Sequence, residues 1–262
     1  MLRYVTLALL VVGSLACSHA PSTLRVIEAR TEVAALGADV SVDAFEAASF
    51  RASNGVELPY RLLRPPADGR PYPLVVIFHG SGAIGTDNRS QIGPVAKNWA
   101  SDAVRRAYPA YVLVPQMPSR SADYVDDATI GRRSVGTETL TATLDLVEMV
   151  RGRERVDRLY AIGFSMGGSA VWNALRWKPG LFSAVVIVAG VPNPDALALL
   201  GNTRVLLVHG DADTENPFAA AWATYQLAPR KLELWRFRGV EHEFPRQLIG
   251  TTELAEWLHR ER

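Results

Sequence analysis

The sequence predicts an α/β protein: a mainly parallel, twisted sheet with helices on both faces and an antiparallel hairpin on its N-terminal side. Three observations carry that expectation. Short β-branched runs recur at PLVVIFHG, AYVLVPQ, RLYAIGF, SAVVIVAG, RVLLVHG and KLELWRF. They are apolar at successive positions, as strands covered from both sides must be. Helix-period stretches separate several of them, at 137–150, 166–177, 217–227 and 246–259. Ahead of the first run, FEAASFRASNGVELPYRLLRPP holds two alternating segments on either side of Asn54-Gly55, a strong short-range hairpin signal.

The start of the chain reads differently. Residues 1–16 have the layout of a lipoprotein-type signal peptide: Arg3, an apolar run over 5–12, then small residues ahead of Cys17. That run is too short to cross a bilayer. SLAC is similar to a bacterial lipobox, with its leucine one place nearer the cysteine than in the commonest form. This predicts lipid attachment at Cys17 in a bacterial cell envelope, with an ordinary signal peptide as the alternative. Ser18 fits sorting to the outer membrane, facing the periplasm or the surface. Cys17 is the single cysteine, so no disulfide can form within the chain. Residues 17–44 read as a tether with one edge strand. Residues 45–262 read as one domain, because no Pro/Gly/Ser-rich linker divides them. The formal net charge of +1 leaves no basic footprint for nucleic acid.

In a parallel sheet the ligand sits beyond the carboxyl ends of the strands, so the polar residues after each run carry the functional reading. Gly163-Phe164-Ser165-Met166-Gly167 stands between a strand and a helix. That is the context of a nucleophile elbow, where small neighbours let a serine hydroxyl project from a sharp turn. A helix-capping serine is the plainer alternative. HGSGAIG, residues 79–85, could fold back and offer backbone N–H groups to an oxyanion. His79 precedes the glycines and reads as a loop brace rather than a base. HGDADTENP and GVEHEF then place acids and a histidine, His242, downstream of the serine, in the order Ser…Asp…His. Among the acids, Asp211 sits in the turn, where it would bond its own backbone, and Glu215 reads as a first-turn acid of the following helix. Asp213 lies far enough past the strand to reach His242. Residues 116–136 are the candidate wall of an otherwise open cleft, and their Arg120, Tyr124, Arg132 and Arg133 read as solvated.

With these pieces in place the chain resembles the α/β-hydrolase superfamily. It looks most like the esterase/peptidase group related to dienelactone hydrolases and prolyl-oligopeptidase-type catalytic domains. LPYRLLRP, YPLVVIFHGSGAIGTDN, YVLVPQMP, RLYAIGFSMGGSAVW, HGDADTENP and GVEHEF carry the likeness over residues 55–260. The resemblance implies Ser165 as nucleophile, Asp213 as acid and His242 as base, with the N–H groups of Ser81 and Met166 as oxyanion donors. It departs at Asn216, where the family usually has valine before the proline. It also departs after Pro115-Gln116, where many relatives have tryptophan or cysteine. The expected activity is hydrolysis of a carboxylic ester, on a small-molecule or polymeric substrate. A peptidase or a non-catalytic envelope lipoprotein are the rivals. No metal-ligand cluster or dinucleotide fingerprint is present in the sequence, so no cofactor is expected.

Overall fold

A computed structural model describes residues 23–30 and 32–260. The segment read as a signal peptide, and Cys17, lie outside the described residues. In chain order the elements are β1 (Leu24–Glu28), β2 (Glu46–Arg51), β3 (Glu57–Leu63), β4 (Tyr72–Phe78), α1 (Pro94–Ala100), α2 (Asp102–Ala107) and β5 (Tyr111–Pro115). A hairpin of β6 (Ala122–Asp127) and β7 (Gly131–Gly136) follows, then α3 (Glu138–Arg153), β8 (Val156–Phe164) and α4 (Met166–Trp177). The chain ends with β9 (Ala184–Val188), β10 (Arg204–Gly210), α5 (Phe218–Leu227), β11 (Leu232–Arg238), α6 (Arg246–Ile249) and α7 (Glu253–His259).

Among the described residues nine strands form one sheet in the order β1-β11-β10-β9-β8-β4-β5-β3-β2. Pairing is parallel from β1 to β5 in that order, and antiparallel only where β3 meets β5 and β2. Alternate side chains of one strand reach opposite faces. Leu74, Val76 and Phe78 of β4 therefore join a core under α3 and α4, while Val75 and Ile77 join a second core under α1 and α7. Both faces are covered, which is why the runs of β4, β5 and β9 are almost continuously apolar, whereas β11, next to the edge strand, carries Glu233 and Arg236. The expected hairpin is present: Arg51 pairs with Glu57, and Asn54 Oδ1 accepts the Val56 N–H across a loop whose Gly55 has φ +84°.

Two expectations need correction. The segment read as a tether carries its edge strand, but it is also docked. Leu24 and Ile27 of β1 pack on opposite cores, β1 pairs with β11, and Leu36 N–H donates to Ile249 O. The packed unit thus begins upstream of residue 45. The helix expected over 246–259 is two helices, α6 and α7. A side chain at Gly250 would collide with Val33, at 2.3 Å, and Asn98 Nδ2 donates to the carbonyls of Ile249 and Thr251. Those carbonyls bond a neighbouring helix instead of continuing their own. The sequence did not flag α1 and α2 as helices; they are short, and Ser101 caps the second through Val104 N–H.

Gly167 abuts β4 so closely that a Cβ there would lie 2.1 Å from the Phe78 carbonyl oxygen. Backbone on both sides leaves no flexible neighbour to yield. Gly167→Ala should therefore destabilise the protein by about 1–3 kcal/mol through overpacking. Chemical denaturation would read this as a lower midpoint at unchanged slope, and a midpoint equal to that of the wild type would show that the elbow can relax.

Candidate active site

The turn between β8 and α4 holds Ser165 at φ +53°, ψ −117°, in a region that non-glycine residues rarely occupy. Such a conformation costs about 1–3 kcal/mol and persists only when its surroundings over-determine it. Here they do. Ser165 N–H donates to Val188 O at 2.9 Å, Ser169 N–H donates to Ser165 O, and a Cβ at Gly163 would lie 2.3 Å from Gly167 O. The Ser165 side chain makes no capping bond to the helix it precedes, so the capping alternative falls. Its Oγ instead lies 2.7 Å from His242 Nε2.

His242 comes from the loop after β11 and Asp213 from the loop after β10. Asp213 Oδ2 lies 2.8 Å from His242 Nδ1. The carboxylate is fully buried and would be penalised for its charge if left alone. Donors surround it: Glu215 and Asn216 N–H on Oδ1, and His242 Nδ1 and His209 Nε2 (3.2 Å) on Oδ2. Burial alone would raise its pKa. The hydrogen bonds from His209, His242 and Asn216 outweigh that and hold it at about 2. Asp213 is therefore ionised at neutral pH and fixes His242 with Nδ1 protonated and Nε2 free to accept from Ser165.

The loop after β4 stands beside this chain of bonds, because Phe78 pairs with Gly163. Ser81 heads a short 3-10 turn over Ser81–Ala83, and Met166 opens α4. Among the described residues neither backbone N–H has an acceptor in the protein. The ideal Cβ position at Gly80 is 3.6 Å from Ser165 Cβ, so this loop reaches the serine. His79 braces it, as expected: Met117 N–H donates to Nε2, which places the proton on Nδ1, and that donates to Gly80 O. Burial pushes the His79 pKa down and keeps the ring neutral. Buried Gln116 adds three bonds to the same loop, to Asn88 N–H, Asp87 and Ala83 O.

Asp211 does not bond its own turn. It accepts Gly239 N–H and pairs with Arg236, and so anchors the start of the loop that carries His242. Glu215 precedes α5 rather than sitting in its first turn; its exposed carboxylate lies 3.8 Å from His242 Nε2. The hairpin β6–β7 stands beside the acid loop, and Arg132 is not idle there. It donates to Glu215 O at 2.8 Å and Asn216 Oδ1 at 2.7 Å, while its guanidinium lies over Tyr124. Asn216 Nδ2 in turn holds Ala189 O. Asn216 thus ties the acid loop to β7 and to the strand end after β9. Sequence reasoning missed His209. It lies inside a β-branched strand run, and its one visible signal is a position four residues before Asp213.

Because the pKa of Asp213 is depressed in the fold, its contribution to stability is full above the unfolded carboxylate pKa of about 3.9 and lost as pH falls through about 2. Urea unfolding of wild type and Asp213→Asn from pH 6 downward should show a stability gap that narrows below about pH 4. A gap independent of pH would mean that the carboxylate is not held ionised by these donors.

Residues 60–255 match the dienelactone hydrolase family. "Putative esterase NocK" of Nocardia uniformis subsp. tsuyamanensis is 32% identical over 61% of this chain, which spans only 46% of that relative's length. The crystal structure of a thermostable esterase superposes with a TM-score of 0.72 at 26% identity, covering 83% of this chain and 63% of that one. Est1E from Butyrivibrio proteoclasticus, at 18% identity and TM-score 0.58 over 80% of this chain and 96% of its own, shares the fold. The chain belongs to the dienelactone hydrolase family and has the α/β-hydrolase fold.

Proposed function

We propose that the protein is a serine esterase, hydrolysing carboxylic esters through an acyl-enzyme on Ser165. The observation that carries this is the unbroken run of hydrogen bonds from Ser165 Oγ to His242 to Asp213, with the serine held on a strained elbow. His242 Nε2 takes the hydroxyl proton as Oγ adds to the ester carbonyl carbon. The resulting oxyanion is met by the Ser81 and Met166 N–H groups, aided by the positive end of α4. The imidazolium, stabilised by ionised Asp213, gives its proton to the departing alkoxide. Water then repeats the sequence: His242 deprotonates it, the acyl–Oγ bond breaks, and the proton returns to Ser165 as the acid leaves. The esterase names of the relatives favour an ester over other acyl substrates. The lipobox-like pattern supports a further part of the same proposal, attachment of the mature protein through Cys17 to a bacterial envelope membrane. A single acyl chain binds only marginally, so stable anchoring needs several chains on the modified cysteine.

A fluorophosphonate probe should label the wild type, and Ser165→Ala should abolish labelling with the fold retained by circular dichroism. Asp213→Asn should lower kcat on activated esters by about four orders of magnitude, because His242 loses its tautomer and its counter-charge. Asp211→Asn should cost far less. Equal labelling of the alanine variant, or a larger loss at 211 than at 213, would overturn these assignments. For the anchor, Cys17→Ser should move the protein from the membrane fraction to the soluble fraction of the producing bacterium, and unchanged fractionation would refute it.

A further inference from the structure

A cavity of about 590 Å³ on the face of the sheet covered by α1 and α7 is lined by the chain neighbours of Ser165 and His242 rather than by those two residues themselves. That volume lies within the range of small-molecule sites. Its lining includes Gly80 from the loop after β4, Phe164 immediately before Ser165, and Phe244 two residues after His242. The ideal Cβ position at Gly80 is 3.0 Å from the Phe164 ring and 3.6 Å from Ser165 Cβ, and the Phe164 and His242 rings are 5.4 Å apart. The cavity therefore begins one side chain away from the reacting groups. Its walls are mostly apolar. The two charged residues on it, Glu243 and Arg246, are exposed, and His79 has both ring nitrogens occupied.

One wall belongs to neither the sheet nor its helices. β1 and β2 stand at opposite edges of the sheet, so the chain between them must cross it. Val33 and Ala35 from this crossing line the cavity, next to Ile249. Three contacts hold the crossing there. Leu36 N–H donates to Ile249 O, Gly37 fits against the Lys97 carbonyl where a Cβ would lie 2.1 Å from the oxygen, and Gly250 leaves room for Val33. A segment so fixed is a rigid boundary.

We propose that this cavity binds an aliphatic chain of the ester substrate, and that Val33 and Ala35 set how long a chain it accepts. The proposal rests on the esterase reading above. Each methylene that enters should raise kcat/KM by about fourfold until the chain meets the crossing segment. The test uses the full chain and two substrate series: p-nitrophenyl esters from acetate to decanoate, and acetates of alcohols from methanol to decanol. Wild type should show a rise in one series that ends at a defined length. The series that rises tells whether the acid or the alcohol half occupies the cavity. Ala35→Trp should end that rise several methylenes earlier; Val33→Phe should do the same and serves if the tryptophan variant fails to fold. Labelling of Ser165 by the fluorophosphonate probe reports that each variant keeps its nucleophile. Length profiles that are flat in both series, or that neither variant moves, would overturn the cavity assignment while ester turnover stands. Loss of turnover and labelling in the wild type would overturn the esterase reading, and this proposal with it.

Discussion

The contact on which the rest of the site depends is one of backbone against backbone, where Gly167 meets the carbonyl of Phe78. It joins the end of β4 to the turn after β8 with no side chain between them. Because the two strands are neighbours, the loop that follows Phe78 must rise beside Ser165, and the free N–H groups of Ser81 and Met166 come from opposite sides of that junction. A larger residue at 167 would push the strands' ends apart and separate the Ser81 N–H from the Ser165 hydroxyl. The strain at Ser165 follows from the same junction: the chain must reverse within one residue to start α4 there, and Val188 O holds the Ser165 N–H while it does. The placement of the hydroxyl and its conformational cost thus have a common origin.

Asp213 shows the same economy in its electrostatics. An isolated buried carboxylate would neutralise itself. Four donors keep it ionised, and only one of them, His242, lies next to the serine. His209 is the informative one. Its Nε2 also lies 2.8 Å from Asn216 O, so it bridges the carboxylate to the backbone of its own loop. Asn216 spans Ala189 O and Arg132. Directional bonds on both sides of Asn216 therefore fix the loop that carries the acid.

Much of this was legible in the sequence for a reason. All six β-branched runs are strands, since covering a sheet on both faces demands continuous apolar character, and that pattern is local. Ser165, Asp213 and His242 were legible because functional groups collect at the carboxyl ends of such strands and their chain order is distinctive. What escaped was set by distant contacts. Gly250 and Thr252 cap the two helices at the break and are a local signal, but an apolar period that continues on both sides of them masks it. The contacts that fix the break, from Val33 and Asn98, arrive from elsewhere. Arg132 reads as one more solvated arginine until β7 brings it beside the acid loop. Asp211 and Glu215 lie two residues either side of Asp213, and only the partners contributed by Arg236, Gly239 and His242 tell their roles apart.

The position of His242 is the hardest requirement on this fold. β11 is three places from β8 in the sheet, a distance of about 14 Å at the usual strand spacing. The loop after β11 must span that gap and still deliver an imidazole within 2.7 Å of Ser165 Oγ. It is fixed at both ends by different forces. At its start, Asp211 binds Gly239 N–H and Arg236, and Ala212 N–H donates to Val240 O, so the loop is fastened to the neighbouring acid loop. At its far end Phe244 packs on Phe164, with ring centroids 6.1 Å apart, and Phe164 also faces His242. Polar anchoring on the acid side and aromatic packing on the other leave the ring little freedom to swing. The same division makes one flank of the site hydrogen-bonded and the other apolar, so the residues that hold His242 in place also set which side of Ser165 faces the apolar cavity.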